Sequence, residues 1–552
     1  MSVMAAPRRT IVVGGVAAGM SAATRLRRND EHRHIVVLER GSHVSFANCG
    51  LPYHLGGVIE DRDDLLLQTP ESLAARFGLD VRTRHEVVAI DRERRTVLVR
   101  ALETGEEYEE AYDELVLATG ARAVRPPFPG AELAHTLRDL GDMDAILAAL
   151  DGPAEAPARS AVVVGAGFIG IELAENLTHR GLDVVLVERE AQVLPPLDVE
   201  MAVLVDERLR AHGVEVRTSA SVTRIEPRTV TLDDGTRLPA DLVVTAVGVV
   251  PETGLAEKAG LDLGPRGGVA VDAQQRTSDP AVFAVGDVAV KRDALTGTGT
   301  LVPLAQTANR QGRLVADVIT GRDVTAPAVL GTAVVGAFGT TAAMVGWSEK
   351  RLRAAGRPVR VIHTHPSDHA GYYPGARTMA LKLLVDPRTD AILGAQGVGE
   401  AGVDKRIDVI ATAMRGNLRA SDLADLELAY APQYGSAKDP VNMLGMVADN
   451  LAAGVTDTVQ WHEVGAEARD GATVVDVRSA DEYAGGSLPG AVNVPLDELR
   501  DRHDELPTGR LVVTCAVGQR GHTAARLLRQ LGRDDVANLD GGYRTWSRVA
   551  GA

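Results

Sequence analysis

The segment Ala161-Val-Val-Val164-Gly165-Ala-Gly167-Phe-Ile-Gly170 decides the fold of this chain. An apolar strand runs directly into a G-x-G-x-x-G turn, a helix follows the turn, and the next strand ends at Glu188. Such a turn presents backbone N–H groups to a pyrophosphate at a helix N-terminus, while the terminal carboxylate accepts hydrogen bonds from ribose hydroxyls. The segment therefore predicts a dinucleotide-binding βαβ unit, with the nucleotide on Gly165, Gly167, Gly170 and Glu188.

A similar segment opens the chain. The strand Thr10–Val13 leads into Gly14-Gly-Val16-Ala-Ala-Gly19, a helix follows, and the second strand ends at Glu39. Val16 stands where the middle glycine is expected, so this copy fits the pattern less well. Because both copies have strand, helix and acidic terminus in place, the sequence predicts two bound dinucleotides.

Composition excludes several classes of protein. The chain has 552 residues and a formal net charge of −16, which argues against nucleic-acid binding. Its two cysteines, Cys49 and Cys515, are too far apart in sequence to suggest a disulfide framework, so we expect a reducing compartment. The N-terminus lacks the long apolar region of a signal peptide, and no stretch approaches ~18 apolar residues. We therefore expect a cytoplasmic protein with no membrane segment and no metal site.

Later segments indicate further domains. The runs 114–120 and 241–248 read as buried parallel strands that close the two βαβ units, and Asp287 follows at a glycine turn. Residues 331–450 alternate in polarity, as in Thr378–Val385, which predicts an antiparallel sheet with helices. Residues 450–456 read as a linker, after which a compact α/β pattern restarts, with a helix from about His522 to Leu531.

Cys49 lies in Ser45-Phe-Ala-Asn-Cys-Gly-Leu-Pro-Tyr53, shortly after the first βαβ unit. With no second cysteine nearby, a redox-active thiol here cannot close an internal disulfide. It must hold its oxidising equivalent as a sulfenic acid or as a mixed disulfide with a small thiol.

These motifs resemble a known family. Residues 1 to about 450 resemble the FAD-dependent pyridine nucleotide-disulfide oxidoreductases of the single-cysteine branch, and the run around Cys49 looks like the signature of coenzyme A-disulfide reductases. Residues 456–552 resemble a rhodanese domain, and the whole chain looks like the fusions of the two, some of which act as persulfide reductases.

The resemblance implies an α/β fold with two Rossmann-like dinucleotide-binding domains, an α+β dimerisation domain and a C-terminal rhodanese α/β domain. The implied limits are 1–155 and 276–328 for the FAD-binding domain, 156–275 for the NAD(P)-binding domain, 329–450 for dimerisation and 456–552 for rhodanese.

The same resemblance assigns the cofactors. FAD is expected on Gly14, Gly19, Glu39, Thr119, Gly120 and Asp287. In the second unit, Glu188 would accept a ribose 2′-OH and repel a 2′-phosphate, which favours NADH. Arg189 beside it would still admit NADPH.

Coenzyme A is expected over the first helix. Ser21, Arg25 and Arg28 share one helical face, where the two guanidiniums can meet phosphates, although a solvated arginine face is an equally plain interpretation of the pattern. The resemblance favours the coenzyme A site. It also implies coenzyme A contacts at Ser45, Asn48, Asn309 and Lys438.

Two tyrosines, Tyr372 and Tyr430, match active-site residues that the family supplies from the partner subunit of a homodimer. Their phenols would donate hydrogen bonds to a thiolate. Tyr373 and Tyr434 lie near enough for a slip in the alignment, and aromatic packing at an interface remains the alternative.

The implied reaction is reduction of coenzyme A disulfide, persulfide or polysulfide, with Cys49 alternating between a thiolate of depressed pKa and a mixed disulfide with coenzyme A. The alternative is an NADH oxidase or peroxidase that cycles a sulfenic acid. Peroxidase relatives usually carry a histidine in the first glycine loop, where this chain has Ala17, and water or a tyrosine would have to substitute as proton donor.

The loop Cys515-Ala-Val-Gly-Gln-Arg520 follows a strand and enters a helix. Its N–H groups and Arg520 would hold an anionic sulfur, which predicts sulfur transfer through a Cys515 persulfide. Cysteine phosphatases share this loop outline, and Ser487 stands where rhodaneses often have histidine. Three alternatives stay open: a buried structural cysteine, a domain that serves only for docking or sensing, and a purely regulatory flavoprotein.

Overall fold

The computed structural model describes residues 7–152 and 157–550. Their contacts cluster into two compact units. The first unit holds the described residues of Met1–Arg189 and Gly213–Gly331, and the second holds those of Glu190–His212 and Thr332–Ala552. Among the described residues, none of the helices has the length and apolar character needed to cross a bilayer.

The elements follow one another along the chain in four groups. Up to residue 152 they are β1 (Arg9–Val13), α1 (Ala17–Asn29), β2 (His34–Glu39), α2 (Leu51–Leu55), α3 (Pro70–Phe77), β3 (Asp80–Thr83), β4 (His85–Asp91), β5 (Thr96–Ala101), β6 (Glu107–Ala111), β7 (Glu114–Leu117), β8 (Ala121–Ala123) and α4 (Leu140–Asp151). Up to residue 331 they are β9 (Ser160–Val164), α5 (Phe168–His179), β10 (Asp183–Val187), α6 (Val199–Ala211), β11 (Glu215–Arg217), β12 (Val222–Glu226), β13 (Thr229–Leu232), β14 (Arg237–Pro239), β15 (Leu242–Thr245), β16 (Val249–Pro251), α7 (Gly254–Lys258), β17 (Val282–Ala284), β18 (Lys291–Arg292), β19 (Gly299–Thr300) and α8 (Ala305–Ile319). Up to residue 452 they are β20 (Ala333–Ala337), β21 (Thr340–Gly346), α9 (Glu349–Ala354), β22 (Arg360–Thr364), β23 (Met379–Val385), β24 (Ile392–Gly399), α10 (Val403–Arg415) and α11 (Pro440–Ala452). The last group is β25 (Asp457–Val459), α12 (Val464–Arg469), β26 (Thr473–Asp476), α13 (Ala480–Ala484), β27 (Val492–Asn493), α14 (Leu496–Arg502), β28 (Leu511–Thr514), α15 (Gln519–Gln530), β29 (Val536–Leu539) and α16 (Gly542–Ala550).

The first unit contains both predicted βαβ segments, each in its own parallel sheet. One sheet has the order β17-β7-β1-β2-β3 and the other β11-β10-β9-β15. Strands β7 and β15, which the sequence predicts to close the two βαβ units, are buried along their whole length, as expected for parallel strands covered on both faces. Two antiparallel three-stranded sheets, β4-β5-β6 and β12-β13-β14, and two two-stranded sheets, β16-β8 and β18-β19, complete the described part of this unit.

The second unit contains the antiparallel sheet predicted after residue 331, in the order β20-β21-β24-β23-β22. Its strand β23 differs from the expectation, because every residue of Met379–Val385 is buried instead of every second one. The predicted linker is also partly wrong. Asn450 to Ala452 form the last turn of α11, which begins with a capping box at Asp439 and continues through the good helix formers Leu451 and Ala452.

A five-stranded parallel sheet, β25-β29-β28-β26-β27, forms the C-terminal part of the second unit. The helix predicted from about His522 begins earlier, at Gln519, because Gly518 in the left-handed conformation (φ 93°) provides its N-cap. Strand β28 ends at Thr514, so Cys515 lies at the carboxyl edge of this sheet.

A buried group of charges lies inside the second unit. Lys382 on β23 has no exposed surface, and its ammonium pairs with the carboxylates of Asp198, Glu200 and Glu349, at 3.0 Å from Asp198 and 2.7 Å from Glu349. These three carboxylates lie close enough together to bind a metal ion, but here the ammonium is their cation. Helix α6 therefore belongs to this unit by charge pairing as well as by packing.

His363 extends the group toward the C-terminal sheet. Its Nε2 lies 3.1 Å from Glu200, and its Nδ1 lies 2.7 Å from Asp540, just after β29. Burial alone would lower the pKa of His363, but the charges of Asp540 and Glu200 raise it to about 9. Because the folded pKa lies above the ordinary value, this pairing stabilises the fold fully below about pH 6.5 and is lost as pH rises through 9.

We expect Lys382→Met to destabilise the second unit by about 3–5 kcal/mol, because it leaves buried carboxylates without their cation. The measurement is the free energy change from urea unfolding, followed by fluorescence. The exposed Lys405→Met is the matched control and should change the free energy by no more than about 0.5 kcal/mol. Equal effects of the two substitutions would show that the ammonium does not hold this group together.

Candidate functional site

The two glycine turns have the same backbone geometry. Gly14 and Gly165 have φ of 105° and 101°, a region that favours glycine. A Cβ on Gly19 would meet the carbonyl oxygen of Gly14 at 1.9 Å, and one on Gly170 would meet that of Gly165 at the same distance. Each helix therefore begins in direct contact with the preceding strand, as a dinucleotide turn requires.

Both helix N-termini leave their first N–H groups without a side-chain cap. The N-cap residues are Val16 for α1 and Gly167 for α5, and neither makes a side-chain capping hydrogen bond. A Cβ added to Gly167 would meet nothing within 4 Å, so its turn is open on that side. Uncapped amides at a helix N-terminus suit a pyrophosphate, and the residues present therefore fit both dinucleotides.

The two acidic strand ends, Glu39 and Glu188, lie against the glycine turns. Glu39 accepts hydrogen bonds from the N–H groups of Gly15 and Gly41, both at 2.7 Å. Glu188 accepts one from the N–H of Ala166, also at 2.7 Å, and is buried. These contacts fix both carboxylates beside the predicted ribose positions.

Asp287 lies in a single 3₁₀ turn, Gly286–Val288, at the end of β17. Arg138, which the sequence analysis missed, pairs with it at 2.7 Å. Lys291, also missed, is buried and donates to the carbonyl of Gly286 at 2.5 Å, and burial lowers its pKa to about 8. Neither residue belongs to a sequence motif, so only the folded chain reveals these contacts.

Thr119 and Gly120 follow β7, at the same edge of the sheet as the first glycine turn. The Thr119 hydroxyl donates to the carbonyl of Glu252 at 2.8 Å. Gly120 has φ of 70°, which turns the chain away from the strand. The hydroxyl is therefore already engaged within the protein.

The Cys49 segment is anchored to the first glycine turn. The N–H of Ser45, a residue with φ of 49°, donates to the carbonyl of Gly15 at 2.8 Å. Asn48, Cys49 and Gly50 then form one 3₁₀ turn that leads into α2, and the Cys49 sulfur lies 3.9 Å from Oδ1 of Asn48. This anchor places an exposed thiol beside the predicted FAD-binding turn.

The electrostatics at Cys49 differ from the sequence expectation of a depressed pKa. Although the side chain is exposed, the atoms around it make desolvation the largest cause that raises the pKa of Cys49. The charge of Glu172 raises it further, while that of Arg138 lowers it. The described groups of the protein therefore do not supply the low pKa expected for this thiol.

Glu172 and Tyr53 form a pair near Cys49 that the sequence analysis also missed. The Tyr53 hydroxyl donates to the Glu172 carboxylate at 3.0 Å. Burial raises the pKa of both groups, and for Glu172 it outweighs the hydrogen bond from Tyr53. Tyr53 stands in the quoted motif, but Glu172 is 119 residues away, and nothing local links the two.

The residues expected to bind coenzyme A on α1 lie against α8. Ser21 is hydrogen-bonded to Asn309 at 2.5 Å, which brings two of the predicted residues together. Arg25 pairs with Asp317 at 2.8 Å, whereas Arg28 is exposed. A phosphate at Arg25 would therefore share the guanidinium with a carboxylate.

In the second unit, the hydroxyls of Tyr372 and Tyr430 lie 2.9 Å apart. The two side chains are 76% and 48% exposed, and their hydrogen bond raises the pKa of Tyr430. Tyr373 packs edge-on against His369 instead. Lys438 is exposed just before α11. The pair selected from the sequence is thus the one whose hydroxyls meet.

The Cys515 loop contains a buried sulfur that accepts a hydrogen bond from the N–H of Gly518 at 3.1 Å. Arg520 was expected to contact this sulfur, but it forms two hydrogen bonds with Glu482, at 2.8 and 2.7 Å. The Arg520 hydrogen bonds hold the pKa of Glu482 at about 2. A backbone amide, rather than the guanidinium, therefore makes the direct contact.

Comparison with protein families identifies three regions. Residues 8–312 match the family described as pyridine nucleotide-disulphide oxidoreductase, and residues 332–439 match its dimerisation domain. Residues 460–549 match the rhodanese-like domain.

Individual relatives agree with this assignment. A coenzyme A disulfide reductase of Staphylococcus haemolyticus is 35% identical over 445 residues, which cover 80% of this chain and all of that protein. Among solved structures, reduced Bacillus anthracis CoADR-RHD is 46% identical with a TM-score of 0.97, covering 99% of this chain and 98% of that one. An NAD-dependent persulfide reductase from A. fulgidus is 38% identical with a TM-score of 0.91, covering 98% and 100%.

We expect Glu172→Gln to lower the pKa of Cys49, because the substitution removes a negative charge that opposes the thiolate. The measurement is the pH dependence of iodoacetamide alkylation at Cys49, in a Cys515→Ser background so that one thiol reacts. Glu103→Gln removes an exposed carboxylate elsewhere and should leave the profile unchanged. A profile shifted to higher pH in Glu172→Gln would contradict this account.

Proposed function

This chain belongs to the pyridine nucleotide-disulphide oxidoreductase family, in its coenzyme A-disulfide reductase type, with a C-terminal rhodanese domain, and from that premise we propose that it uses NADH to reduce coenzyme A disulfides or persulfides through Cys49. The observation that supports the proposal is the hydrogen bond from the N–H of Ser45 to the carbonyl of Gly15, which ties the segment that carries Cys49 to the first glycine turn. The chain has no other cysteine in that half, so the reacting partner sulfur must come from outside.

FAD would bind on Gly14, Gly19 and Glu39, with Thr119, Gly120 and Asp287 beside it. The chemistry that FAD would supply here is hydride acceptance from the nicotinamide nucleotide and two-electron reduction of a disulfide. Arg138 orients Asp287 through their ion pair at 2.7 Å. The uncapped N-terminus of α1 would hold the pyrophosphate, and its amides would offset that negative charge.

The chemistry at Cys49 then runs in two halves. The Cys49 thiolate attacks one sulfur of coenzyme A disulfide, which forms a mixed disulfide and releases one coenzyme A thiolate. Two electrons and one proton then break the mixed disulfide, which releases the second coenzyme A as its thiol and restores the thiolate. The charge of Glu172 acts on the Cys49 sulfur, and burial raises the pKa of the Glu172 carboxyl. Glu172 is therefore a candidate to hold that proton.

The substrate would lie along α1, with its phosphates near Arg28 and Arg25 and with Ser21, Ser45, Asn48, Asn309 and Lys438 as further contacts. Tyr372 and Tyr430 would donate hydrogen bonds to the departing coenzyme A thiolate. Their hydroxyls are exposed and 2.9 Å apart, which suits a shared anionic acceptor. In the proposed homodimer these two tyrosines come from the partner subunit.

In the C-terminal domain, we infer sulfur transfer through a persulfide on Cys515. The Gly518 N–H at 3.1 Å from the sulfur, at the N-terminus of α15, favours an anionic sulfur there. Arg520, held by Glu482, contributes positive charge without direct contact. The alternative, a domain that only docks or senses, requires no such persulfide.

We expect Cys49→Ser to abolish NADH-dependent reduction of coenzyme A disulfide, because a hydroxyl cannot form the mixed disulfide. Cys515→Ser is the matched control. It should retain this activity but lose the gain of ~32 Da (one sulfur) at residue 515, which mass spectrometry of the peptides would detect after polysulfide treatment. Normal turnover of Cys49→Ser would refute the mechanism. Efficient peroxide-dependent NADH oxidation with no turnover of coenzyme A disulfide would favour the oxidase or peroxidase alternative.

We expect Glu188→Gln to raise the ratio of kcat/KM for NADPH over NADH by about tenfold or more, since the buried carboxylate would repel a 2′-phosphate. Glutamine keeps an oxygen that can accept the Ala166 hydrogen bond, so the turn should stay intact. Steady-state kinetics with both nucleotides measure the ratio, and the exposed Glu132→Gln serves as control. An unchanged ratio would show that Glu188 does not set the preference.

A further inference from the structure

A cavity of about 290 Å³ opens within the second unit between α6 and α16. We call it the α6–α16 cavity. Its charged and imidazole side chains are those of Glu207, Arg208, His365, Glu400, Arg544 and Arg548. Its volume is near the lower limit of small-molecule sites, ~300 Å³, so it would admit only a compact ligand.

The cavity has more positive than negative groups. Three guanidiniums face two carboxylates, and the ion pairs between them are long, at 3.6 Å for Arg548 with Glu207 and 3.9 Å for Arg208 with Glu400. Glu400 also pairs with Arg377 at 3.3 Å, which further reduces the negative charge that Glu400 contributes to the cavity. These carboxylates leave part of the positive charge uncompensated.

Arg544 is the centre of that excess charge. It is partly buried, and among the described residues its guanidinium forms no ion pair. Burial and then the charge of Arg548 lower its pKa, with no carboxylate acting against them. A half-buried cation without a counter-ion is costly, and an anionic ligand would remove that cost.

His365 does not act as a counter-ion for Arg544. Burial is the largest cause that lowers its pKa to about 3, and the positive charges of Arg544 and Arg548 act in the same direction. The imidazole is therefore neutral, with its Nε2 at 2.8 Å from the Thr545 hydroxyl.

We propose that the α6–α16 cavity is a binding site for a small multivalent oxyanion, phosphate-type or sulfur-type, held by Arg544 and Arg548. Guanidinium forks match the oxygens of such anions, and two of them next to each other favour more than one negative charge. This site is separate from the Cys515 loop, although the two are connected. The N–H of Arg544 donates to the carbonyl of Ala516 at 2.9 Å, so the residue that binds the anion also supports that loop.

The test is isothermal titration calorimetry on the full-length, FAD-loaded enzyme, with inorganic phosphate in one arm and thiosulfate in the other. We expect a site whose affinity falls at least tenfold in the Arg544→Gln/Arg548→Gln double variant. The Arg520→Gln variant is the matched control, because it alters the charge at the Cys515 loop and should leave this site intact. Tighter binding of phosphate identifies a phosphorylated ligand class, and tighter binding of thiosulfate identifies a sulfur oxyanion. Unchanged binding in the double variant would overturn the proposal.

A second measurement covers the case in which the double variant fails to fold. Crystals of the unaltered protein soaked in selenate should show an anomalous peak between Arg544 and Arg548. A peak at the Cys515 loop alone, or no peak, would overturn the proposal without reliance on any variant.

Discussion

The ammonium of Lys382 is the interaction on which the second unit depends. Because it is buried, its charge can be tolerated only if carboxylates surround it, and it recruits them from α6, from the residue before α6 and from α9. One of these carboxylates, Glu200, also pairs with His363. The need to neutralise one cation thus determines how separate segments of the chain meet. It also explains why α6, which follows a nucleotide-binding strand in sequence, packs with the dimerisation sheet.

Features set by local sequence could be predicted. Both glycine turns were recognisable because the close approach of strand and helix forbids a Cβ at Gly19 and Gly170, a constraint visible within a few residues. The family, the fold class and the enzyme type inferred from these motifs are confirmed by the comparisons. The pairing of Tyr372 with Tyr430 also agrees with the residues chosen, although their role stays a proposal.

Features set by distant partners could not be predicted. Strand β23 looked amphipathic because Lys382 interrupts its apolar residues, yet the buried lysine pairs with acids from two other segments, the start of α6 and α9. Arg520 has the spacing of a sulfur ligand, but Glu482 from another helix accepts hydrogen bonds from both terminal nitrogens of its guanidinium. Likewise, burial and then the charge of Glu172 raise the pKa of Cys49, and no motif links Glu172 to this thiol. Sequence patterns fix which groups are present, whereas charge compensation across the fold decides what they contact.

The contact between His363 and Asp540 has a consequence for how such a fusion arises. Gln460 joins it by donating to the Asp540 carboxylate at 3.2 Å and to the carbonyl of Val361 at the same distance, so the last domain shares buried polar groups with the sheet before it. The rhodanese domain is therefore not an interchangeable module on a tether. Without this domain, His363 would lose the Asp540 carboxylate that raises its pKa, and the carbonyl of Val361 would lose its hydrogen bond from Gln460. We therefore expect loss of the domain to be tolerated best when His363 is replaced as well.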